Sequence, residues 1–147
     1  MRNLLIHILF IAATLGAGIF AGTQWQPGAW YEGLQQPFFT PPDSWFPIVW
    51  SVLYVLIGWV GARMALYGGP AVLWILQIAL NLSWTPVFFG AHEMVIGLSV
   101  IAALWVVILA FILRAWSQDK LSSLLFVPYL AWISIATALN ASLVLLN

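Results

Sequence analysis

The chain is poor in charge and has no cysteine. Its 147 residues include four basic and four acidic side chains, so charged residues make up 5% of the total, against roughly 25% in ordinary soluble domains. The absence of cysteine excludes disulfides, thiolate zinc sites, iron–sulfur clusters and cysteine nucleophiles. A net charge of zero argues against a protein that binds nucleic acid through a basic patch, so no nucleic-acid partner is expected.

Hydrolytic motifs are also missing. No serine lies in a G-x-S-x-G pattern, and no H-E-x-x-H occurs. The apolar stretches contain almost no ionisable residue, which weakens the case for a proton pump or an ion-driven carrier. His7 and His92 are the only imidazoles, and each is open to two interpretations, a haem ligand or a hydrogen-bonded interfacial histidine. We expect no acid–base enzyme, no metal site and no required cofactor.

Hydrophobic residues, by contrast, make up 64% of the chain, more than a soluble fold of this length can bury. Five stretches reach the about 20 apolar residues that a membrane helix needs. The sequence therefore predicts an all-α membrane protein, a single transmembrane domain over residues 1–147. The five predicted helices cover about 4–22, 45–67, 70–90, 94–116 and 121–146. The first stretch can also be interpreted as a cleaved signal peptide, because Arg2 precedes it and small residues end it.

The connections between the five spans alternate between two sides of the membrane. All four basic residues fall on or next to the side of the N-terminus: Arg2, Arg63, Arg114 and Lys120. Glu32, Asp43 and Glu93 fall on the other side. The positive-inside rule therefore predicts a cytoplasmic N-terminus and an extracytoplasmic first loop.

The first loop, about residues 23–44, is long, apolar and stiffened by prolines. Its aromatic residues are Trp25, Trp30, Tyr31, Phe38 and Phe39. Long loops often act as lids or binding segments, so we expect a partly structured loop that folds back over the mouth of the bundle. The alternative is a passive belt of aromatic residues at the level of the lipid headgroups.

Aromatic and amide side chains recur at helical spacing, so that each set shares one helix face. The sets are Trp50 and Tyr54 on the second span, Asn81, Trp84 and Phe88 on the third, and Tyr129, Trp132, Ala136 and Asn140 on the fifth. The asparagines need partners in hydrocarbon and must face protein or a polar cavity. One interpretation is a ring-lined pocket in which the small Ala136 leaves room. The other is simple packing, with asparagines joining the helices.

Three prolines favour the pocket. Pro47, Pro86 and Pro128 each remove a backbone donor and can bend a helix. Pro47 and Pro86 lie toward the side of the first loop, whereas Pro128 lies in the other half. We expect a bundle that splays toward the loop and leaves a hollow beneath it.

Three motifs resemble the translocator protein family, also called the tryptophan-rich sensory protein or peripheral benzodiazepine receptor family. They are PPDSWFPIVW at Pro41–Trp50, NLSWTPVFFG at Asn81–Gly90, and FVPYLAW followed by ATALN at Phe126–Asn140. Trp30-Tyr31 followed by Pro37 also fits the family pattern. The resemblance covers the whole chain, with five spans and a long first loop in matching order.

The resemblance implies a homodimeric five-helix bundle with a pocket under the first loop. It implies hydrophobic small-molecule ligands, namely tetrapyrroles such as protoporphyrin IX or haem, sterols and synthetic aromatics. By motif, the pocket residues would be Tyr31, Trp50, Tyr54, Asn81, Trp84, Phe88, Tyr129, Trp132 and Ala136. Some members are reported to degrade porphyrin in light, which is the one enzymatic activity that the resemblance suggests.

The C-terminus departs from the animal members of that family. They carry a cholesterol motif of the form Leu/Val-x-Tyr-x-Lys/Arg, whereas Ala141–Asn147 holds neither tyrosine nor a basic residue. The form is that of a bacterial member and places sterol transport in doubt. For the dimer, Gly18 and Gly22 form a G-x-x-x-G step on the first helix, whereas the family tends to use the third helix.

Three functional classes follow for an integral protein of a bacterial membrane. The first is a receptor or sensor that binds a porphyrin among its aromatic side chains. The second is a transporter that moves porphyrin, lipid or sterol across the bilayer. The third is a structural protein whose tryptophans only pack helices.

Overall fold

A computed structural model describes the whole chain, Met1–Asn147. Five of its helices are long and apolar enough to cross a membrane, with mean hydropathies between 1.6 and 2.9. The elements are α1 (Arg2–Gln24), α2 (Ala29–Glu32), α3 (Trp45–Tyr67), α4 (Ala71–Thr85), a π-helical turn (Pro86–Gly90), α5 (Met94–Ala115) and α6 (Lys120–Leu146). The chain has no strand, so the predicted all-helical membrane fold is confirmed.

The helix bounds lie close to those that hydropathy predicts. α3 coincides with the predicted span 45–67, and the ends of α5 and α6 differ from prediction by one residue or none. The third predicted span is divided, because α4 ends at Thr85 and Pro86–Gly90 continue it as a π-helix. Pro86 has no N–H to donate to the α-helical ladder, and a widened turn is one way to continue past it.

α1 lies against α3 at very short range because glycines line the contact. A Cβ at Gly58 would come within 2.6 Å of the Ile11 Cα, and a Cβ at Gly61 would come within 2.7 Å of the Phe10 ring. Thr14 Oγ1 adds a hydrogen bond to the backbone oxygen of Tyr54 at 2.7 Å. This contact fixes the rotation of α3, and with it the direction of Tyr54.

The connections meet at two opposite ends of the bundle, as the alternation of sides predicts. At one end, Arg63 of α3 donates two hydrogen bonds to the carboxylate of Asp119, which precedes α6. We call this ion pair the clasp. At the other end, which we call the loop end, Asn147 hydrogen-bonds to the backbone of Gln35 in the first loop.

Much of the outer surface is apolar, as a bilayer requires. Val72 is 70% exposed and Leu113 is 68% exposed, although both would be unfavourable in water. The core contains a ring cluster in which Phe126 packs on Phe111 of α5 and on Tyr129 of its own helix. The bundle thus packs buried aromatic rings between α5 and α6.

Candidate ligand-binding site

A chain of buried hydrogen bonds joins α3, α4 and α6 inside the bundle. The Tyr54 hydroxyl donates to Asn81 Oδ1 at 2.7 Å, and Asn81 Nδ2 donates to the Tyr129 hydroxyl at 2.7 Å. Tyr129 in turn donates to Gln77 Oε1 at 2.8 Å. We call these four residues the polar chain. Both ends of the Asn81 amide are therefore satisfied by protein, which is what an asparagine in hydrocarbon needs.

The polar chain also contains one unsatisfied donor. Gln77 is fully buried, yet its Nε2 has no hydrogen-bond partner. A buried donor without an acceptor costs about 1–3 kcal/mol, so this amide is a place where a water molecule or a ligand oxygen would be stabilised. Gln77 precedes Asn81 by four residues, which is the spacing that puts both on one face of α4.

A second group of rings lies nearer the loop end. The Trp84 and Phe88 rings stack at 4.9 Å between centroids, and Trp84 Nε1 donates to Asn140 Oδ1 at 3.1 Å. Asn140 Nδ2 donates to the backbone oxygen of Met94, so this amide too is used within the protein. A Cβ at Gly97 would lie 3.2 Å from Phe88 and 3.3 Å from Asn140, which explains a glycine at this position on α5.

The first loop covers this group of rings. Trp30 stacks on His92 at 4.3 Å with an interplanar angle of 12°, and its edge meets Phe88 at 5.6 Å. Tyr31 meets Phe88 at 6.3 Å and Phe89 at 5.3 Å. The loop therefore folds back over the bundle through Trp30 and Tyr31. Other aromatic residues of the same segment point outward, since Phe38 is fully exposed and Phe39 is 39% exposed, as in an interfacial belt.

The electrostatic surroundings of Tyr31 are set by the loop itself. Burial raises the pKa of the Tyr31 phenol, the charge of Asp43 raises this pKa further, and the Gln36 side chain opposes both effects. Tyr31 is therefore a neutral hydrogen-bonding group at neutral pH. Because a nearby carboxylate contributes, the loop end carries negative charge close to the rings.

The remaining predicted residues lie between α3 and α6. Trp50 stacks on Tyr54 at 5.5 Å, and Trp132 meets the edge of Phe46 at 5.5 Å. Trp132 is buried and lines a hollow of about 350 Å³ between the two helices, which opens on the outer flank. We call this hollow the groove. Ala136, one turn further along α6, is half-buried and packs against the core.

The structure thus distributes the nine predicted residues over three neighbouring places. Tyr54, Asn81 and Tyr129 belong to the polar chain, on which Trp50 stacks. Tyr31, Trp84 and Phe88 form the ring group under the loop. Trp132 and Ala136 lie along α6, with Trp132 on the wall of the groove. Under the loop, side chains pack on one another where we expected a hollow, and Phe88 is 1% exposed.

The chain is similar to known proteins over most of its length. The model of the TspO/MBR family matches residues 7–146. The protein CrtK of Rhodobacter capsulatus is 41% identical over 99% of this chain and 94% of its own length. The tryptophan-rich sensory protein of Cereibacter sphaeroides is 35% identical over 97% of this chain and 91% of its own length. The human translocator protein is 36% identical over 84% of this chain and 79% of its own length.

The chain belongs to the TspO/MBR family. It is a multi-pass integral membrane protein related to the tryptophan-rich sensory proteins and the translocator proteins. The resemblance drawn from the three motifs is therefore confirmed.

Four residues of this family member matter to the site but were not predicted from the sequence. Gln77 extends the polar chain, Phe46 packs on Trp132, and Gly97 makes room for Phe88. Gly18 lies under the Tyr54 ring, which a Cβ would overlap. Gly18 therefore packs within its own bundle, so the suggested G-x-x-x-G contact with a second copy loses one of its two glycines.

Proposed function

We propose that this chain is a membrane receptor for flat, largely apolar ring compounds, with tetrapyrroles such as protoporphyrin IX as the expected class. One observation carries the proposal. Two stacked ring pairs, Trp50 with Tyr54 and Trp84 with Phe88, lie in one bundle, and the first loop packs on Phe88 of the second pair. Ligand sites of this kind are mostly apolar, with few polar groups that fix orientation.

The names of the relatives support the same class of function. Two are described as a sensory protein and a translocator protein, which are roles that begin with binding. Aromatic faces stack on flat macrocycles in an offset or edge-to-face manner, and tryptophan offers the largest face. The Gln77 amide and the hydroxyl of Tyr31 supply polar tips for the edge of such a ring.

Binding requires the ring group under the loop to rearrange. Phe88 packs against Trp84, Tyr31 and Trp30 at once, so a macrocycle enters only when some of these rings separate. The energy for separation comes from the new stacking contacts with the ligand. A receptor of this design couples occupancy to the packing of Phe88, while Trp30 remains stacked on His92.

The charge at the loop end bears on the choice of ligand. Glu32, Asp43 and Glu93 are the acidic residues of this end, and the first loop and the turn that follows Gly90 contain no Lys or Arg. The propionates of protoporphyrin would meet carboxylates of the same sign there. A neutral ester of the same macrocycle is therefore expected to bind more tightly than the free diacid.

The decisive experiment measures quenching of tryptophan fluorescence by protoporphyrin IX in nanodiscs. Ala136→Phe fills space beside the predicted site, and we expect at least a tenfold loss of affinity. Ala138→Phe is the matched control, because Ala138 is exposed on the same helix. The absence of saturable quenching in the unaltered protein, or equal affinity in all three proteins, would contradict the receptor.

Transport of a porphyrin, lipid or sterol is the second candidate function. The groove favours it, because a hollow that opens on the flank gives an apolar molecule access from the bilayer. Flux of protoporphyrin into vesicles, measured beside equilibrium binding, separates the two functions. Binding without flux above that of empty vesicles supports a receptor, whereas saturable flux supports a transporter.

A homodimer is the proposed assembly, and α4 offers a face for it. Val72, Ile75 and Leu76 are exposed at helical spacing on this helix. Since the chain has no cysteine, Ala79→Cys on the same face provides a clean test. We expect an intermolecular disulfide at Ala79→Cys and none at Ala12→Cys on α1.

A further inference from the structure

The groove is an open hollow on the flank between α3 and α6, and its accessible wall is apolar throughout. Its wall includes Ile48 and Val52 of α3 and Pro128, Ala131 and Ile135 of α6. Two features of α6 leave the space open, since Ala131 has only a methyl group and Pro128 cannot continue the hydrogen-bond ladder. Ile48 is 65% exposed and Val52 is 55% exposed, so the groove is accessible from the outside.

The depth of the groove places it in the bilayer. Trp132 lies twelve residues after Lys120 in α6, a helix of 27 residues. At the rise of an α-helix this places Trp132 about 18 Å from the start of α6. That is near the middle of a hydrocarbon layer about 30 Å thick. The opening therefore faces lipid chains, and a molecule that enters it comes from within the membrane.

Trp132 holds an unpaired donor behind the wall of the groove. This side chain is 8% exposed, its Nε1–H has no acceptor, and the accessible wall of the groove is apolar, so the N–H becomes reachable only when α3 and α6 separate. Three other indole N–H groups are paired within the chain, those of Trp74, Trp84 and Trp105. Phospholipid ester groups lie at the interface, too far away to accept from this N–H. An acceptor at this depth has to be carried by an apolar molecule that dissolves in the bilayer.

The ends of the groove are held while its middle is open. The clasp joins α3 and α6 at one end, and Phe46 packs on Trp132 toward the other. The loop, by comparison, is fastened over the ring group by Trp30 on His92 and by Gln35 with Asn147. The flank is therefore the less obstructed route into the bundle.

We propose that the groove is the lateral entrance for the ligand of this receptor. A flat apolar ring compound with a hydrogen-bond acceptor passes from the bilayer between α3 and α6, and Trp132 Nε1–H donates to that acceptor on the way in. This inference rests on the proposed function, because it concerns the route to the same site. It differs from entry under the loop, which would require Trp30 and Tyr31 to lift.

The test uses the absence of native cysteine. Val52→Cys with Ala131→Cys places one thiol on each wall of the groove, and Gln35→Cys with Asn147→Cys places two thiols across the loop contact. Each pair is closed with a bis-maleimide that contains a cleavable disulfide. The probe is protoporphyrin IX dimethyl ester, dissolved in the lipid of the nanodiscs, and the readout is the rate at which tryptophan fluorescence is quenched.

We expect closure of the groove to slow association at least tenfold and cleavage of the linker to restore the rate. Closure of the loop should leave the rate within twofold of the unaltered protein. Equal rates with the groove open and closed, or slowing only by the loop linker, would overturn the entrance while leaving the receptor in place. No saturable quenching before any linker is added would instead refute the receptor, and the entrance with it.

A second variant tests the donor. Trp132→Phe keeps an aromatic ring and removes the N–H, so we expect about fivefold slower association of the dimethyl ester, the usual effect of one hydrogen bond. Trp59→Phe, on the outward face of α3, is the matched control and should associate as fast as the unaltered protein does. An unchanged association rate in Trp132→Phe would overturn the role of the indole.

Discussion

The ring of Tyr54 lies directly over the backbone of Gly18. A Cβ at position 18 would overlap the ring, whereas one at Gly16 or Gly22 of the same helix would meet no atom within 4 Å. The missing side chain lets Tyr54 lie against α1 while its hydroxyl reaches Asn81. The polar chain thus depends on a glycine that makes no hydrogen bond to it.

Gly18→Ala is expected to displace Tyr54 and break its bond to Asn81. Overpacking of a tight contact costs about 1–3 kcal/mol, so the midpoint of thermal unfolding in detergent should fall by several degrees. Gly22→Ala is the control and should leave the midpoint unchanged or slightly raised. Equal effects of the two substitutions would mean that Tyr54 moves aside without cost.

The clasp predicts a loss of stability in acid. Hydrogen bonds from Arg63 hold the pKa of Asp119 at about 2, below its ordinary value of 3.8, despite the opposing effect of burial. Since the pKa is lowered in the folded state, the stabilisation is present above about pH 4 and is lost as the pH falls toward 2. For a partly exposed pair we expect about 1 kcal/mol, measured as unfolding midpoints from pH 6 to 2.

Asp119→Asn is the matched variant for the clasp. Asparagine also caps a helix, so the hydrogen bond that Asp119 accepts from the Ser122 amide can be retained while the charge is removed. The variant should be less stable at pH 6 and show a smaller decline toward pH 2. A decline as steep as that of the unaltered protein would assign the acid sensitivity to other carboxylates.

The fastening of the loop is tested by Asn147→Leu. This substitution removes the side chain that bonds to the amide and carbonyl of Gln35, so the loop should open more often. We expect faster hydrogen exchange over residues 29–36, measured by mass spectrometry in nanodiscs. Leu145→Ala, at a highly exposed position nearby, should leave that exchange unchanged. Equal exchange in both variants would show that the ring contacts of Trp30 and Tyr31 hold the loop without Asn147.

Asp43→Asn tests the charge near Tyr31. Without the carboxylate the pKa of the Tyr31 phenol should fall, while burial keeps this pKa above its ordinary value. Absorbance titration against a Tyr31→Phe reference isolates this phenol. The same variant should bind free protoporphyrin IX more tightly and its dimethyl ester as before. Tighter binding of both ligands would point to altered loop position instead of charge.

The fold could be predicted because bilayer thickness sets a length that apolar runs must match. The inward direction of the Asn81 and Asn140 side chains was predictable for a similar reason, since an amide in hydrocarbon has to find protein partners. Both asparagines indeed join helices within the bundle. That result favours the interpretation in which the asparagine side chains join the helices. The aromatic rings and the amides nevertheless share the helix faces that their spacing predicts.

The groove could not be predicted from the sequence. In helices that are apolar on every side, periodicity does not tell which face of α3 meets which face of α6. Gln77 was not predicted, although its spacing of four residues from Asn81 places both amides on one face of α4. Gly18 was predicted only as one possible contact between copies, since a small residue on a membrane helix has the same sequence pattern in either role.

The π-helical turn at Pro86–Gly90 determines the directions in which the side chains of this segment point. Each residue of a helix advances the chain by about 100°, so one residue fewer there would turn Phe88 away from Trp30 and Tyr31. Homologues that align without a gap across this turn are expected to share the same ring geometry. Those with a deletion there would present a differently shaped surface to whatever they bind.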